Sequence, residues 1–491
     1  MVDPRRDDLD GDIGNRSNLR YTAALTIGGQ TLNVTLDTGS TDLWVNPQGG
    51  VGAFENTGVA KHLTYGGGAF INGTVGLAEI TVAGHTIPHQ AFINVTQISS
   101  GLNTCASGLC GLLGLGFDSP TAGIEEVLAA AGLDGPGLGK SVLSSIFDMN
   151  PDKGRFFAII SEYDSKYSSV QWLAKHPVYP PGAKSWHILS DGASVNGISV
   201  PWAANSASTP AGQHLIALDT GTPNFLVPAD VRDAIYGFVP GAVLAKNTKI
   251  NSPLWRGDRD LWIVPCSTPV SFTAIFGLPY PIHPLDMTEM ATQTGPDGVK
   301  YTYCYGAVTS GGSLTNGTTD ALFGDSFLRN VYTVFSFGDN NTAPFVQLLP
   351  LTNEWDAAQD FARVRQQQLS GNVKEIAPAD LIRIFDGQSN SSPSSTGNPS
   401  SSTSVAAGHL VEAAAVTSGT DTPVASKYMP VIIGLLAANL FVVLVLAVLG
   451  VMLFVRRSRT VGSSSARYAP VKVKDDSFFA ASYEDRPYSD S

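Results

Sequence analysis

At 491 residues the chain is too long for one ordinary hydrophobic core, which points to two or more domains. Charged residues are sparse, at 15%, while 51 glycines and 30 prolines suit a β-rich fold with many turns. A net charge of −12 without a clustered basic stripe argues against nucleic acid as a partner.

The first segment, residues 1–20, reads "MVDPRRDDLDGDIGNRSNLR" and has no apolar stretch of the kind a signal peptide needs. Strand signals begin at "YTAALTIGGQTLNVTLDTGS", two alternating runs joined by Gly-Gly, the pattern of a hairpin. "VGLAEITVAGHTIPHQAFINVT" continues as short strands and turns. Helix signals are few: Gly123–Gly132, "GIEEVLAAAG", and Pro228–Phe238, "PADVRDAIYGF", with a helix start at Pro228 to Asp230. "GPGLGKS", Gly135–Ser141, ends like a phosphate-binding loop, but Asp134 stands where the first glycine is required, so that reading is set aside.

One short word occurs twice. "LNVTLDTGSTDLWV" carries Asp37 and "LIALDTGTPNFLVP" carries Asp219, 182 positions later. Each Asp-Thr-Gly follows an apolar strand and precedes Ser or Thr and then apolar residues. A single such word marks a turn; two in matching contexts read as an internal duplication. An acid between buried strands is costly unless something uses it. Two carboxylates about 3 Å apart cannot both ionise easily and share one proton. The ionised member can then activate a water while the protonated one donates to a carbonyl. Gly39 and Gly221 would let backbone approach the acids. The hydroxyls of Thr38, Ser40, Thr220 and Thr222 can hydrogen-bond within and around the pair.

The C-terminal third changes character. "GQSNSSPSSTGNPSSSTSVAAG", Gly387–Gly408, is Ser/Thr/Pro-rich and reads as an O-glycosylated, disordered stalk. Residues 431–455 are apolar apart from Asn439, longer than the roughly 20 residues that span a bilayer. "RRSR", Arg456–Arg459, follows at once, against Lys427 alone on the other side. The positive-inside rule then puts the last 36 residues in the cytosol and residues 1–427 outside. A lipid-anchor signal would end with its apolar run, and this one does not. Seven N-x-S/T sequons, at Asn15, Asn33, Asn72, Asn94, Asn316, Asn340 and Asn390, precede the helix and fit an extracytoplasmic glycoprotein. Asn33, inside a predicted strand, is expected to be unused. A long ectodomain needs a signal, so the chain is expected to lack its true start or to begin after processing.

Cys105, Cys110, Cys266 and Cys304 allow three pairings. Local disulfides, Cys105–Cys110 with Cys266–Cys304, are favoured over four free buried thiols because the other features indicate an oxidising compartment. The eight histidines show no H-E-x-x-H or paired spacing, so no metal or other cofactor is expected.

Taken together, these residues resemble the pepsin-like aspartic endopeptidases, in a membrane-anchored, fungal-type form, over most of Tyr21 to Pro350. The resemblance implies Asp37 and Asp219 as the catalytic pair, supported by Thr38, Gly39, Ser40, Thr220, Gly221 and Thr222. "HLTYGGGAF" is similar to the family's mobile hairpin flap, implying Tyr65 and Gly66 there, and Trp44 matches the tryptophan that bonds the flap tyrosine. "GLLGLGF" and "ALFGDSFLRNVYTVFSF" resemble the segments threaded beside each catalytic loop, placing Gly114 and Gly324. Cys266 and Cys304 match the disulfide of the family's C-terminal lobe. The implied fold is all-β and bilobal: lobes at 21–185 and 186–350, an extension at 351–386, the stalk at 387–428, a transmembrane helix at 429–455 and a cytosolic tail at 456–491. The implied activity is pepstatin-sensitive hydrolysis of peptide or protein substrates at acidic pH by a monomer, at a cell surface or a secretory or vacuolar membrane. The implied preference is for bulky apolar side chains. Three glycines at 66–68 predict a more mobile flap, and Pro223 departs from the small residue usual at that place. Some relatives keep the fold as peptide-binding proteins without catalysis; that alternative normally shows as an altered Asp, Thr or Gly, and neither motif is altered.

Overall fold

The computed structural model describes residues 14–16 and 20–386, apart from 101, 103–104, 106–107, 120–122, 134, 152–153, 158–162, 205–208, 253–258, 316–318 and 372–374. The expected stalk, transmembrane helix and cytosolic tail lie outside the described residues, as do Asn316 and Asn390. No helix among the described residues is long and apolar enough to cross a membrane.

The first half of the chain is built on β1 (Gly14–Arg16), β2 (Arg20–Ile27), β3 (Gln30–Asp37), β4 (Leu43–Val45), β5 (Glu55–Thr64), β6 (Phe70–Val82), β7 (His85–Ile98) and β8 (Gly111–Gly114). They form one eight-stranded sheet, ordered β1-β2-β3-β8-β4-β7-β6-β5, with β2 also pairing β6. The expected hairpin is β2–β3, in register from Thr22 opposite Thr35 to Ile27 opposite Gln30. Its Gly28-Gly29 turn takes positive φ at both residues, which only glycine adopts freely. Asn33 lies in β3 with its side chain exposed.

The remaining strands are β9 (Phe156–Phe157), β10 (His176–Pro177), β11 (His187–Ser190), β12 (Gly192–Val195), β13 (Ile198–Ser199), β14 (His214–Leu218), β15 (Phe225–Val227), β16 (Val243–Ala245), β17 (Leu261–Val264), β18 (Phe272–Phe276), β19 (Leu278–Ile282), β20 (Thr288–Thr294), β21 (Lys300–Gly306), β22 (Thr309–Ser310), β23 (Ala321–Phe323), β24 (Val331–Ser336) and β25 (Phe345–Pro350). Three sheets, β11-β14-β23-β15-β22, β13-β12-β18-β19 and β16-β17-β21-β20, belong to the second half. A fourth, β10-β25-β24-β9, takes two strands from either side of residue 185. Beneath it Trp186 packs against Phe117 with ring centroids 4.3 Å apart and planes tilted by 40°, and its Nε1–H donates to the Leu115 carbonyl at 3.0 Å. This buried aromatic cluster, with Phe335 and Phe337, fixes the two halves to each other.

The same threading occurs twice. β8 runs parallel to β3 and antiparallel to β4, so it passes between the strands that enter and leave the first Asp-Thr-Gly turn. β23 does the same between β14 and β15. Gly114 lies against the backbone of Thr41, and Gly324 against that of Thr222, so close that a Cβ at either would overlap it.

Strands dominate, but the described residues also hold seven α-helices: α1 (Gly123–Ala130), α2 (Val142–Met149), α3 (Ala229–Gly237), α4 (Pro284–Met287), α5 (Asp325–Leu328), α6 (Glu354–Ser370) and α7 (Pro378–Asp386). Two of these, α1 and α3, stand where helix signals were read. α6 and α7 occupy the 351–386 extension. Asn353 caps α6, its side chain accepting from the N–H groups of Trp355 and Asp356, and Glu354 and Asp356 suit the positive end of the helix. Ala357, Phe361 and Arg365, four residues apart, form its buried stripe. Arg365 donates through Nη2 to the carbonyl and hydroxyl oxygens of Thr288. α7 buries Leu381 and Phe385 against Ile263, Tyr303 and Tyr305 of the β16-β17-β21-β20 sheet. Disulfides join Cys105 to Cys110 and Cys266 to Cys304.

Candidate active site

Asp37 ends β3 and Asp219 follows β14, so each acid stands where a buried strand turns. The Gly39 N–H donates to Asp37 Oδ1 at 2.8 Å, and Ser40 Oγ donates to Asp37 Oδ2 at 2.5 Å. The second turn repeats this: Gly221 N–H to Asp219 Oδ1 at 2.8 Å and Thr222 Oγ1 to Asp219 Oδ2 at 2.6 Å. The two turns interlock through their threonines. Thr38 N–H donates to Thr220 Oγ1 and Thr220 N–H to Thr38 Oγ1, both at 3.0 Å. Each hydroxyl in turn donates across the junction, Thr38 to the Leu218 carbonyl at 2.8 Å and Thr220 to that of Leu36 at 2.9 Å.

This lock brings the acids together. A Cβ on Gly39 would stand 2.6 Å from Asp219 Oδ1, and one on Gly221 would overlap the Asp37 carboxyl while lying 3.0 Å from Asp219 Oδ1. Each glycine therefore admits the other half's acid. Burial, and next the negative charge of Asp219, push the Asp37 carboxyl well above the usual aspartate range, outweighing the bonds from Ser40 and Gly39.

The acids open into a cleft of about 530 Å³. Its apolar wall includes Leu63, Leu102 and Leu226, and Pro223 lines it beside Thr222. Over it hangs the β5–β6 hairpin, whose tip at Gly66–Gly68 makes a short 3-10 turn with positive φ at Gly67 and Gly68. Tyr65 enters that tip, and Trp44 Nε1–H donates to its Oη at 2.7 Å. Gly66 also lines the cleft. Burial raises the Tyr65 phenol, and Asp37 adds to this, so it stays a neutral hydroxyl. The cysteines are not among the residues lining this cleft.

Three residues at the site carried no separate signal in the sequence. Asp325, next to Gly324, is buried with both carboxyl oxygens lacking a hydrogen-bond partner among the described residues. Burial holds its carboxyl well above the usual range, against the pull of the Arg329 charge. Asp42 accepts from the Ile124 N–H at 3.1 Å and is also raised by burial. Arg20, the first residue of β2, donates through Nη1 to the Gly221 carbonyl at 3.3 Å. The duplicated motif could have drawn attention to Asp42, which stands five residues after Asp37 as Asn224 does after Asp219.

Two interlocked Asp-Thr-Gly turns under a hairpin, on duplicated strand threading, define an aspartic peptidase. The chain belongs to the eukaryotic aspartyl protease family, whose sequence profile matches residues 20–347. It is similar to Major aspartyl peptidase 1 of Cryptococcus neoformans var. grubii, 26% identical over 346 residues, 65% of this chain and 66% of that protein. Aspergillopepsin-1 of Aspergillus clavatus is 28% identical over 345 residues, 65% of this chain and 76% of that one. The solved aspartic proteinase of Irpex lacteus is 18% identical, with a TM-score of 0.45 over 68% of this chain and 95% of its own.

Proposed function

We propose that this aspartic peptidase is an endopeptidase in which Asp37 and Asp219 share one proton and activate a water against a peptide carbonyl. The observation that carries this reading is the mutual approach of the two turns, each glycine lying against the opposite carboxyl. The ionised oxygen takes a proton from the water as it attacks. The protonated acid donates to the carbonyl oxygen, and the tetrahedral intermediate collapses as a proton passes to the leaving amine. Ser40 and Thr222 bond one oxygen of each acid and the Gly39 and Gly221 N–H groups bond the other, so each oxygen keeps a further lone pair for chemistry. Tyr65, neutral and held by Trp44, closes the cleft over an extended substrate.

The enzyme is a monomer anchored by one helix at residues 429–455, its catalytic part outside the cytosol at a cell surface or a secretory or vacuolar membrane. The apolar run at 431–455, the arginines at 456–459 and the sequons support this. The test is cleavage of an unfolded protein at about pH 4, where a shared-proton pair is active, with and without pepstatin. Pepstatin-sensitive cleavage that Asp37→Asn abolishes, with folding intact by circular dichroism, is expected. Cleavage retained in Asp37→Asn would sink the assignment. Full-length protein is expected to sediment with membranes, and protein truncated at residue 387 to remain in solution.

A further inference from the structure

The charged side chains lining the cleft are Arg20, Asp37, Asp42 and Asp219. Three already have partners that account for them: the two acids of the pair, and Asp42 on the Ile124 N–H. Arg20 is the one cation among the described residues of this lining. It is half-buried at the start of β2, and its one hydrogen-bond partner among the described residues is the Gly221 carbonyl. None of the ion pairs within 4 Å among the described residues involves it. Asp37 and Asp219 line the same cleft, and Asp325 lies buried near them. The first two are held by their own turns, and Asp325 feels Arg20 only through space.

A guanidinium has five N–H donors in a planar fork shaped for a carboxylate. Here one donor is engaged, and the group sits at the wall of a cleft that is otherwise mostly apolar. Its anchor, Gly221, is the residue whose N–H holds Asp219 Oδ1. An extended substrate advances about 3.3 Å per residue, so a group fixed there meets a side chain within a few residues of the cut bond.

We propose that Arg20 is a specificity-determining residue, which makes this cleft select peptides carrying a carboxylate side chain, Asp or Glu, within a few residues of the bond cut on the Asp219 side. The proposal rests on the reading of Asp37 and Asp219 as the cutting centre. A cation that only tuned the pair would move the pH profile of every peptide alike. One that binds a substrate carboxylate changes the ratio between an acidic peptide and its amide twin.

The experiment scans Glu against Gln at each of four positions on either side of the cut bond, in C-terminally amidated fluorogenic peptides. At one position the kcat/KM ratio of Glu to Gln is expected to reach about tenfold at pH 5 to 6, as for one charge-assisted pair. It should collapse toward one in Arg20→Gln, recover partly in Arg20→Lys, and fall below one in Arg20→Glu. In the native enzyme it should fade as pH drops through about 4, where the glutamate side chain takes up its proton. No position preferring Glu, a preference that survives in Arg20→Gln, or one seen only with free terminal carboxylates would overturn the proposal. A failure of the cutting centre itself would look different: no Asp37-dependent cleavage of either twin, which would remove both readings.

Discussion

At the scale of single residues, the threonines at 38 and 220 do the least visible and most consequential bonding. Each hydroxyl accepts from an N–H and donates to a carbonyl of the opposite half, so removing one strands two backbone groups. Thr38→Val and Thr220→Val should each destabilise by about 1–3 kcal/mol, the usual cost of a buried group left without its partner. The four bonds are distinct but belong to one network, so the departure of the double variant from the sum of the singles, read in urea-denaturation midpoints, measures how tightly the two turns are coupled. Asp37 and Asp219 could be located from the sequence because a repeated motif marks them, and Tyr65 and Trp44 because the segments that hold them resemble the family. Asp325 and Arg20 could not. What distinguishes them is burial and proximity to the other half, and both exist only after folding.

Among the elements, the flap and α6 make opposite cases. The flap was legible through the resemblance: "HLTYGGGAF" is similar to the family's flap, and a hairpin turn stands at Gly66–Gly68. Tyr65→Phe keeps the ring but strips Trp44 Nε1 of its acceptor. The expected effect is a drop of about tenfold in kcat/KM, the worth of one hydrogen bond of roughly 1.4 kcal/mol, with a loss of stability of about 1–3 kcal/mol from the buried donor left unpaired. Helix α6 was not legible. Its inward stripe is one small residue, one aromatic and one arginine, and the rest of its 17 residues are mostly polar. Such a helix forms because the second half offers a surface for Phe361 and the carbonyl and hydroxyl of Thr288 for Arg365, not because of its own pattern. Phe361→Ala should cost about 3–5 kcal/mol, measurable as a lowered melting temperature. If the melting temperature did not change, the extension would be a loose appendage rather than part of the catalytic body.

For the whole molecule, the duplication was readable and the way the halves join was not. The β10-β25-β24-β9 sheet pairs strands as short as two residues, too brief for any sequence pattern. Its aromatic underside comes from residues scattered between 117 and 337. The pH dependence of stability also belongs to this scale. Asp37, Asp42, Glu289 and Asp325 are all raised by burial, so folding takes up protons at them. Their stabilisation is complete below the ordinary carboxyl range and is lost as pH climbs through the raised values. His176, His187, His214 and His283 are lowered by burial and act in the opposite sense, but only below the ordinary histidine value of about 6.5. Above that point only the carboxyl trend remains, so the melting temperature should fall from about pH 6.5 to 8. Asp325→Asn should flatten the decline, and an unaltered slope would show that Asp325 does not take up the proton.

The crossed glycines carry a lesson for reading genetic variation in this chain. A methyl group added at Gly39 stands 2.6 Å from Asp219, not against the aspartate two residues away. Harm at Gly39 is thus delivered to the acid encoded 180 or so codons distant, and harm at Gly221 to Asp37 first and to its own Asp219 as well. Ranking variants by their distance along the gene from an essential residue would assign such injuries to the wrong half. Survivors of a Gly39 lesion should be sought among compensating changes around Asp219, where the displaced atoms are.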